Sequence, residues 1–182
     1  MRRSLVLLCL AAALLCGCAG TRPDTVVAAV NERTGESFTK LREPLRLATT
    51  RPGLSVVGKD YLLVAPVMLA GSATGGQYLW FALGTTLDRP LHGAPEPGFD
   101  RIVLVVDDVP MTFDLDAWRD KADAEPYDVS MLTSRSFGSR ITASQIRRIA
   151  NAESLSAYVT NPEHRSPRYE LVRGEPLDWL DF

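Results

Sequence analysis

Cysteine is confined to the N-terminus of the chain. Cys9, Cys16 and Cys18 lie within the first eighteen of the 182 residues, and the rest of the sequence contains no thiol. A domain without thiols has no disulfide framework, cysteine zinc site, iron–sulfur cluster or cysteine nucleophile. These classes of site are therefore excluded for the sequence beyond Cys18.

Histidine is almost as scarce, because the chain contains only His92 and His164, in separate predicted loops. Two histidines are too few for a histidine-rich metal centre. The acidic groups Asp107-Asp108 and Asp114-Leu115-Asp116 lack the twelve-residue spacing and central glycine of an EF-hand calcium loop, so we interpret them as turn and surface charges. We expect no metal ion and no cofactor.

The sequence also lacks an excess of positive charge. Its 20 Lys and Arg are balanced by 22 Asp and Glu, which gives a formal net charge of -2. Nucleic acids and anionic lipid surfaces attract clusters of basic residues. We therefore do not expect nucleic acid as a partner.

Motifs that would carry catalysis are incomplete. Ser37-Phe38-Thr39-Lys40 matches S-x-x-K, but the S-D-N and K-T-G motifs that accompany it in penicillin-binding enzymes are missing. The glycine-rich stretch Gly71–Gly76 has no following lysine and is flanked by strand patterns on both sides, unlike a phosphate-binding loop. We predict no catalytic residue.

The first residues have the layout of a secretory signal. Arg2 and Arg3 precede an apolar run from Leu5 to Cys16, which is shorter than the roughly 20 residues that span a bilayer. The segment Leu15-Cys16-Gly17-Cys18 resembles the lipobox of bacterial lipoproteins, in which a small residue precedes the modified cysteine and an aliphatic residue lies three places before it. The resemblance implies cleavage before Cys18 and attachment of lipid to Cys18.

Cys16 is the rival lipid acceptor, but it would place the bulky Leu15 directly before the cleavage site, where the lipobox has glycine, alanine or serine. The resemblance implies three acyl chains on Cys18, which bury enough methylene groups to hold the protein on a membrane permanently. Ala19 follows, where an aspartate would resemble the inner-membrane retention signal of enteric bacteria. We therefore expect an outer-membrane lipoprotein that faces the periplasm.

These features predict three segments: a signal peptide (1–17), a lipidated cysteine with a short polar tether (18–24), and one globular domain (25–182). The length and the 46% hydrophobic content suit a single folded domain. Residues 25–50 show no decisive pattern, and they could begin with a short helix or with a strand.

A hairpin is predicted in the centre of the domain. The runs Tyr61–Leu69 and Gln77–Leu87 are rich in β-forming residues and flank the glycine-rich stretch Gly71–Gly76. Pro66 has no N–H to donate to a sheet, so we expect its strand to lie at a sheet edge or to carry a bulge.

A second hairpin is predicted from Ile102–Val106 and Val109–Leu115, with Asp107-Asp108 as its turn. Tyr127–Thr133 is the next strand candidate. The following residues, Ser134–Arg140, are rich in serine and arginine and are predicted to form a loop.

The end of the domain contains the one clear helix signal. Thr142-Ala143-Ser144-Gln145 has the capping-box pattern, which predicts a short helix near 143–151. The runs Leu155–Thr160 and Arg168–Arg173 then predict a closing hairpin. Many short strands with little helix favour an all-β antiparallel sandwich, immunoglobulin-like in style. The alternative is an α+β domain with a single antiparallel sheet.

The strand Gln77–Leu87 is apolar on both faces. Leu79, Phe81 and Leu83 point one way, whereas Tyr78, Trp80 and Ala82 point the other. We considered two explanations for the second face: cover from within the same chain, or a binding face built on Tyr78 and Trp80, since aromatic residues often anchor interfaces and stack on sugars.

The sequence thus predicts a lipid-anchored protein of the cell envelope with a binding or structural role and no chemistry of its own. Its partners would be the membrane, through the lipid, and an envelope protein. The alternative is an envelope hydrolase, or a protein that binds carbohydrate or cell-wall polymer. Neither the ligand nor the oligomeric state follows from the sequence.

Overall fold

A computed structural model of the chain describes residues 25–50, 59–70, 75–85, 98–131 and 133–172. The fold is all-β, as predicted, with one α-helix and one short 3₁₀-helix in those residues. None of the helices in these ranges is long and apolar enough to cross a bilayer. The strands are β1 (Val26–Val30), β2 (Ser37–Leu41), β3 (Leu45–Thr50), β4 (Lys59–Ala70), β5 (Gly76–Thr85), β6 (Arg101–Val106), β7 (Val109–Asp114), β8 (Asp116–Ala117), β9 (Thr133–Arg140), β10 (Leu155–Thr160) and β11 (Tyr169–Leu171).

The strands form one antiparallel sheet, ordered β7-β6-β10-β11-β3-β4-β5-β9-β8, with β1 and β2 attached beside β4. Strands β7 and β8 stand at opposite ends of this order, although only Leu115 separates them in the chain. The sheet therefore curls back on itself and is nearly closed into a barrel. The prediction of two packed sheets is not confirmed; a single sheet is the feature that the α+β alternative predicted.

Strand β4 is central rather than at an edge, which corrects the expectation drawn from Pro66. One edge of β4 pairs with β5, and the other edge pairs with β3 up to Val64 and with β2 from Val67. Pro66 lies where the second edge changes partner. A ladder that is interrupted at this point accommodates a residue without an N–H.

The interior of the sheet is filled by aliphatic and aromatic side chains, so it is a packed core. The helix α1 (Ala143–Ala150) lies against this core through Ile146 and Ile149. Its capping box is present as predicted: the Thr142 hydroxyl accepts from the Gln145 N–H, and the Gln145 side chain accepts from the Thr142 N–H. The largest interior side chains that are fully buried are Leu47, Leu62, Leu79, Phe81, Ile102, Leu104, Ile149 and Tyr169.

A second core lies on the outer face of β4 and β5. Residues 118–131, which we call the cover segment, begin with a 3₁₀-helix (Trp118–Asp120) and run irregularly across this face. Trp118, Ala122 and Tyr127 are its buried anchors. The members contributed by the sheet are Phe38, Leu63, Ala65, Val67, Leu69, Tyr78, Trp80 and Ala82.

Two sequence predictions fail next to this second core. Tyr127–Thr133 is not a strand, because residues 127–131 belong to the irregular cover segment. The predicted loop Ser134–Arg140 is part of strand β9, which pairs with β5 along its whole length. Small side chains on β9 leave room for the cover segment. At Gly138, for example, an added Cβ would lie only 2.7 Å from Trp118 Cε3, so a side chain there would displace the Trp118 ring.

The predicted hairpins are confirmed. Strand β4 pairs with β5, β6 with β7, and β10 with β11, all antiparallel. Asp107 and Asp108 have positive φ angles of 48° and 62°, which two-residue hairpin turns require. The Asp107 carboxylate also accepts from the backbone N–H groups of Glu153 and Ser154 and so ties this turn to the chain that follows α1. The secondary structure of residues 25–50 could not be predicted from the sequence; in the structure they form β1, β2 and β3.

Candidate binding site

Tyr78 and Trp80 are buried, with 1% and 0% of their surface exposed. The Tyr78 ring meets Trp118 edge-on at a centroid distance of 6.1 Å, and Trp80 packs on Tyr127 at 5.0 Å. The apolar second face of β5 is therefore covered from within the same chain, the first of the two explanations considered. These two side chains present no exposed surface to a partner in this structure.

Glu125 links the buried face to the surface. One of its carboxylate oxygens accepts from Trp80 Nε1 at 3.1 Å, and the other accepts from the Ser136 hydroxyl. The indole N–H thereby gains the hydrogen bond that a buried tryptophan needs. Glu125 itself is exposed, so a ligand that approaches the surface reaches a carboxylate already held in place by β5 and β9.

A second set of contacts holds the cover segment to β2. The Tyr127 hydroxyl donates to the Leu41 carbonyl at 2.9 Å, and the Lys40 ammonium donates to the Pro126 carbonyl. The same ammonium lies 4.3 Å from the centroid of the Tyr127 ring. Burial raises the pKa of Tyr127 and lowers the pKa of Lys40.

Further contacts are made by charged side chains at the surface. The Glu36 carboxylate accepts from the Asp123 N–H at 3.2 Å, and Lys121 pairs with Asp116 at 2.9 Å. Together with Trp118 Nε1, which donates to the Ala124 carbonyl at 2.7 Å, these bonds fix the irregular backbone of the cover at several points. The cover segment therefore has a fixed backbone conformation and forms an ordered surface beside β9.

A groove of about 710 Å³ lies between the cover segment and β9. Its lining includes four consecutive residues, Ser134–Phe137. Because alternate residues of a strand point to opposite faces, a lining of consecutive residues shows that the groove follows the strand edge. On that edge β8 pairs only with Phe137 and Gly138, so the described part of the chain places no strand beside Ser134 and Ser136.

The groove combines polar groups of several kinds. The opposite wall is formed by Tyr127, Asp128 and Val129, with Arg119 and Glu125 beside them. Carboxylates, guanidinium groups and hydroxyls thus surround a volume in the usual range for small-ligand sites, about 300–1,000 Å³. Such a lining offers both donors and acceptors, which suits a neutral polar chain such as an extended peptide or a glycan.

Residues that the sequence singled out for chemistry lie apart from this groove. His164 is exposed, and its backbone bonds to Asn161 and Thr160; it does not line the groove. Ser37 and Lys40 are three residues apart on strand β2 and therefore point to opposite faces, which is incompatible with S-x-x-K chemistry. Within the described ranges no group of three or more side chains could hold a metal ion.

Several predictions fall outside the described residues: the signal peptide (1–17), the lipid acceptor Cys18 with its tether, and His92. The groove itself was missed from the sequence. The available signal was the alternation of small side chains Ser134, Ser136 and Gly138 on one face of β9, which the accompanying arginines obscured.

Comparison of the chain with protein-family models, with curated proteins and with solved structures gave no match.

Proposed function

We propose that this chain is a lipid-anchored protein of the cell envelope that binds a partner through the groove beside β9, without chemistry of its own. The lipobox resemblance of Leu15-Cys16-Gly17-Cys18 supports the anchor. The binding role rests on one observation, the groove of about 710 Å³ along a strand edge that has no described strand partner at Ser134 and Ser136. The membrane of residence is the outer membrane, on its periplasmic side.

The anchor places the fold close to the bilayer. Seven residues, 18–24, connect the lipid acceptor to the first described residue, Thr25. At no more than about 3.5 Å per residue, they span at most about 25 Å. A partner in the groove would therefore be an envelope component within a domain's diameter of the membrane.

The anchor is tested by comparing Cys18→Ser with Cys16→Ser. Mass spectrometry of the mature N-terminus should find acyl chains on Cys18 in the native chain and in Cys16→Ser, and both should fractionate with membranes. Cys18→Ser should carry no lipid and leave the membrane fraction. An acylated Cys18→Ser chain, or a native chain without lipid, would overturn the anchor.

The strand edge makes an extended peptide the favoured ligand. A peptide that adds to an exposed sheet edge gains affinity from backbone hydrogen bonds, and flanking side chains supply selectivity. Here Tyr127–Val129 forms the far wall, and the exposed Arg119 and Asp128 offer charges of both signs. An extended segment of an envelope protein fits this arrangement.

The binding role is tested by placing a photo-crosslinking residue at Ser134 in intact cells. Val109 is the matched control, since it is 45% exposed and does not line the groove. We expect one dominant protein adduct at Ser134, absent at Val109 and reduced by Arg119→Ala. Adducts at Ser134 no stronger than those at Val109 would remove the groove as the binding site.

A cell-wall polymer is the second candidate ligand, because the carboxylates of Glu125 and Asp128 line the same groove. Two carboxylates are the groups that glycoside hydrolysis requires. Incubation with purified cell-wall fragments distinguishes the possibilities. If the protein retains the fragments and no new reducing ends appear, it binds the polymer without cleaving it. If new reducing ends appear with the native chain and not with Asp128→Asn, the protein is a hydrolase.

A further inference from the structure

Strand β1 has one free edge in the described structure. All five of its residues pair with β2, from Val26 opposite Leu41 to Val30 opposite Ser37. No strand in the described ranges lies on the other edge. Val30 is 63% exposed, and Ala28 is exposed as well.

Within the residues that the structure describes, this edge carries none of the usual protection against pairing with another chain. Its sequence is Val-Val-Ala-Ala-Val, without a charge or a proline. Natural edge strands are commonly protected by lysine, proline, bulges or a covering segment, since their unpaired N–H and C=O groups otherwise recruit a further strand. An unprotected apolar edge is therefore a pairing surface.

The edge is complementary to itself. An antiparallel pair that uses all five residues of two copies places Ala28 opposite Ala28 on the two-fold axis and Val26 opposite Val30. The two cross-strand valine pairs stabilise this arrangement, and the contact is closed, as a symmetric dimer requires. No like charges are brought together within the strand.

A five-residue strand pair is too small to form a stable dimer in dilute solution. Stable protein interfaces bury on the order of 1,000 Å² or more, which a single short strand does not supply. The position of β1 compensates for this, because it begins eight residues after Cys18. Two copies anchored at Cys18 would hold their β1 edges at the same height above the membrane, which raises their effective concentration.

We infer that the β1 edges of two membrane-anchored copies of this chain pair antiparallel about Ala28. The inference uses the anchor of the proposed function. It does not depend on the groove, which lies along β9.

Disulfide trapping at Ala28 tests the pairing. The sequence beyond Cys18 contains no cysteine, so Ala28→Cys adds the only free thiol to an acylated chain. Opposed residues of an antiparallel pair have Cα atoms about 4.5–5.5 Å apart, within the range that a disulfide bridges. In native membranes, Ala28→Cys should form a covalent dimer, and the exposed control Val109→Cys should stay monomeric.

Opposite charges provide an independent test. Ala28→Lys and Ala28→Glu each place like charges on the axis and should abolish resonance energy transfer between two differently labelled copies in native membranes. Co-expression of the two variants should restore it, because the axis then carries a Lys–Glu pair. Ala28 is exposed, so both variants should keep the melting temperature of the native chain.

Failure of the inference is distinguishable from failure of the anchor. If mass spectrometry shows acylated Cys18 while Ala28→Cys forms no more dimer than Val109→Cys, the pairing is wrong and the anchor stands. If Cys18 carries no lipid and Ala28→Cys still forms dimers in concentrated solution, the anchor is wrong and β1 is confirmed as the contact.

Discussion

Gly138 allows a bulky side chain to lie flat on strand β9. A Cβ at this position would stand 3.1 Å from Trp118 Cζ3, a tight contact, and 2.7 Å from Cε3, closer than real Cβ atoms come to another atom. The Trp118 ring is 1% exposed and anchors the start of the cover segment. The absence of one side chain thus determines how the second core is closed.

Gly138→Ala should therefore lower the free energy of unfolding by about 1–3 kcal/mol, the usual cost of overpacking a core. Gly98→Ala is the control, since its added Cβ would meet nothing within 4 Å. Urea unfolding followed by tryptophan fluorescence measures both. Equal stability of the two variants would show that Trp118 moves aside without cost.

Tyr127 connects stability to alkaline pH. Its hydroxyl donates to the Leu41 carbonyl, so at pH 7 Tyr127→Phe should cost about 1–3 kcal/mol by leaving that oxygen without a donor. Burial raises the pKa of Tyr127 in the folded state, whereas the unfolded chain releases the proton from about pH 10. Above pH 10 the folded chain therefore still holds the Tyr127 proton, whereas the unfolded chain has released it. The ionised unfolded state becomes more favourable as the pH rises, so the stability that Tyr127 contributes is progressively lost.

The stability difference between the native chain and Tyr127→Phe should consequently shrink above pH 10, by up to about 1.4 kcal/mol per pH unit. Paired urea titrations at pH 7, 10 and 11 (about one unit above the free-tyrosine pKa) check this, because the other tyrosines are common to both chains. A difference that stays constant to the highest pH would mean that the folded state ionises as easily as the unfolded one.

At the scale of elements, sequence prediction succeeded where the signal is local. The capping box at Thr142 and the hairpin turn at Asp107-Asp108 depend on neighbouring residues, and both are present. The prediction of a loop at Ser134–Arg140 was wrong because strand β9 is held extended by its partners β5 and β8 and not by a preference of its own residues. The groove beside it depends on the same distant contacts and was invisible for the same reason.

Helix α1 depends on its cap. Thr142→Ala removes the hydroxyl that accepts from the Gln145 N–H, while the Thr142 backbone N–H can still donate to the Gln145 side chain; the change should lower the free energy of unfolding by about 0.5–2 kcal/mol. Arg148→Ala, on the exposed face of the same helix, should change it by no more than about 0.5 kcal/mol. Chemical denaturation of both variants provides the measurement. A larger effect at Arg148 than at Thr142 would contradict this account.

At the scale of the whole molecule, β11 links strands that lie far apart in the sequence. This three-residue strand pairs with β10 on one side and with β3 on the other, more than a hundred residues earlier in the sequence. It completes the path from β7 around to β8. Contacts of such sequence separation make folding slow but make the closed sheet cooperative.

Glu170→Pro should therefore destabilise the entire fold. Glu170 pairs with Ser156 and Ala48, and proline removes a ladder donor in the middle of the sheet. We expect a loss above about 3 kcal/mol, beyond most single substitutions, while Glu170→Ala stays within about 1 kcal/mol. Thermal unfolding by circular dichroism compares them. An unchanged melting temperature in Glu170→Pro would show that β11 can be disrupted locally without destabilising the rest of the fold.

The burial of β4 and β5 on both faces also sets the order in which the molecule exchanges its amide hydrogens. Both strands have neighbours on each edge, the interior core beneath them and the cover segment above. Their amides can reach solvent only when the whole fold opens, whereas those of β1 exchange through local fraying. Deuterium uptake in the central hairpin is thus a direct readout of global stability.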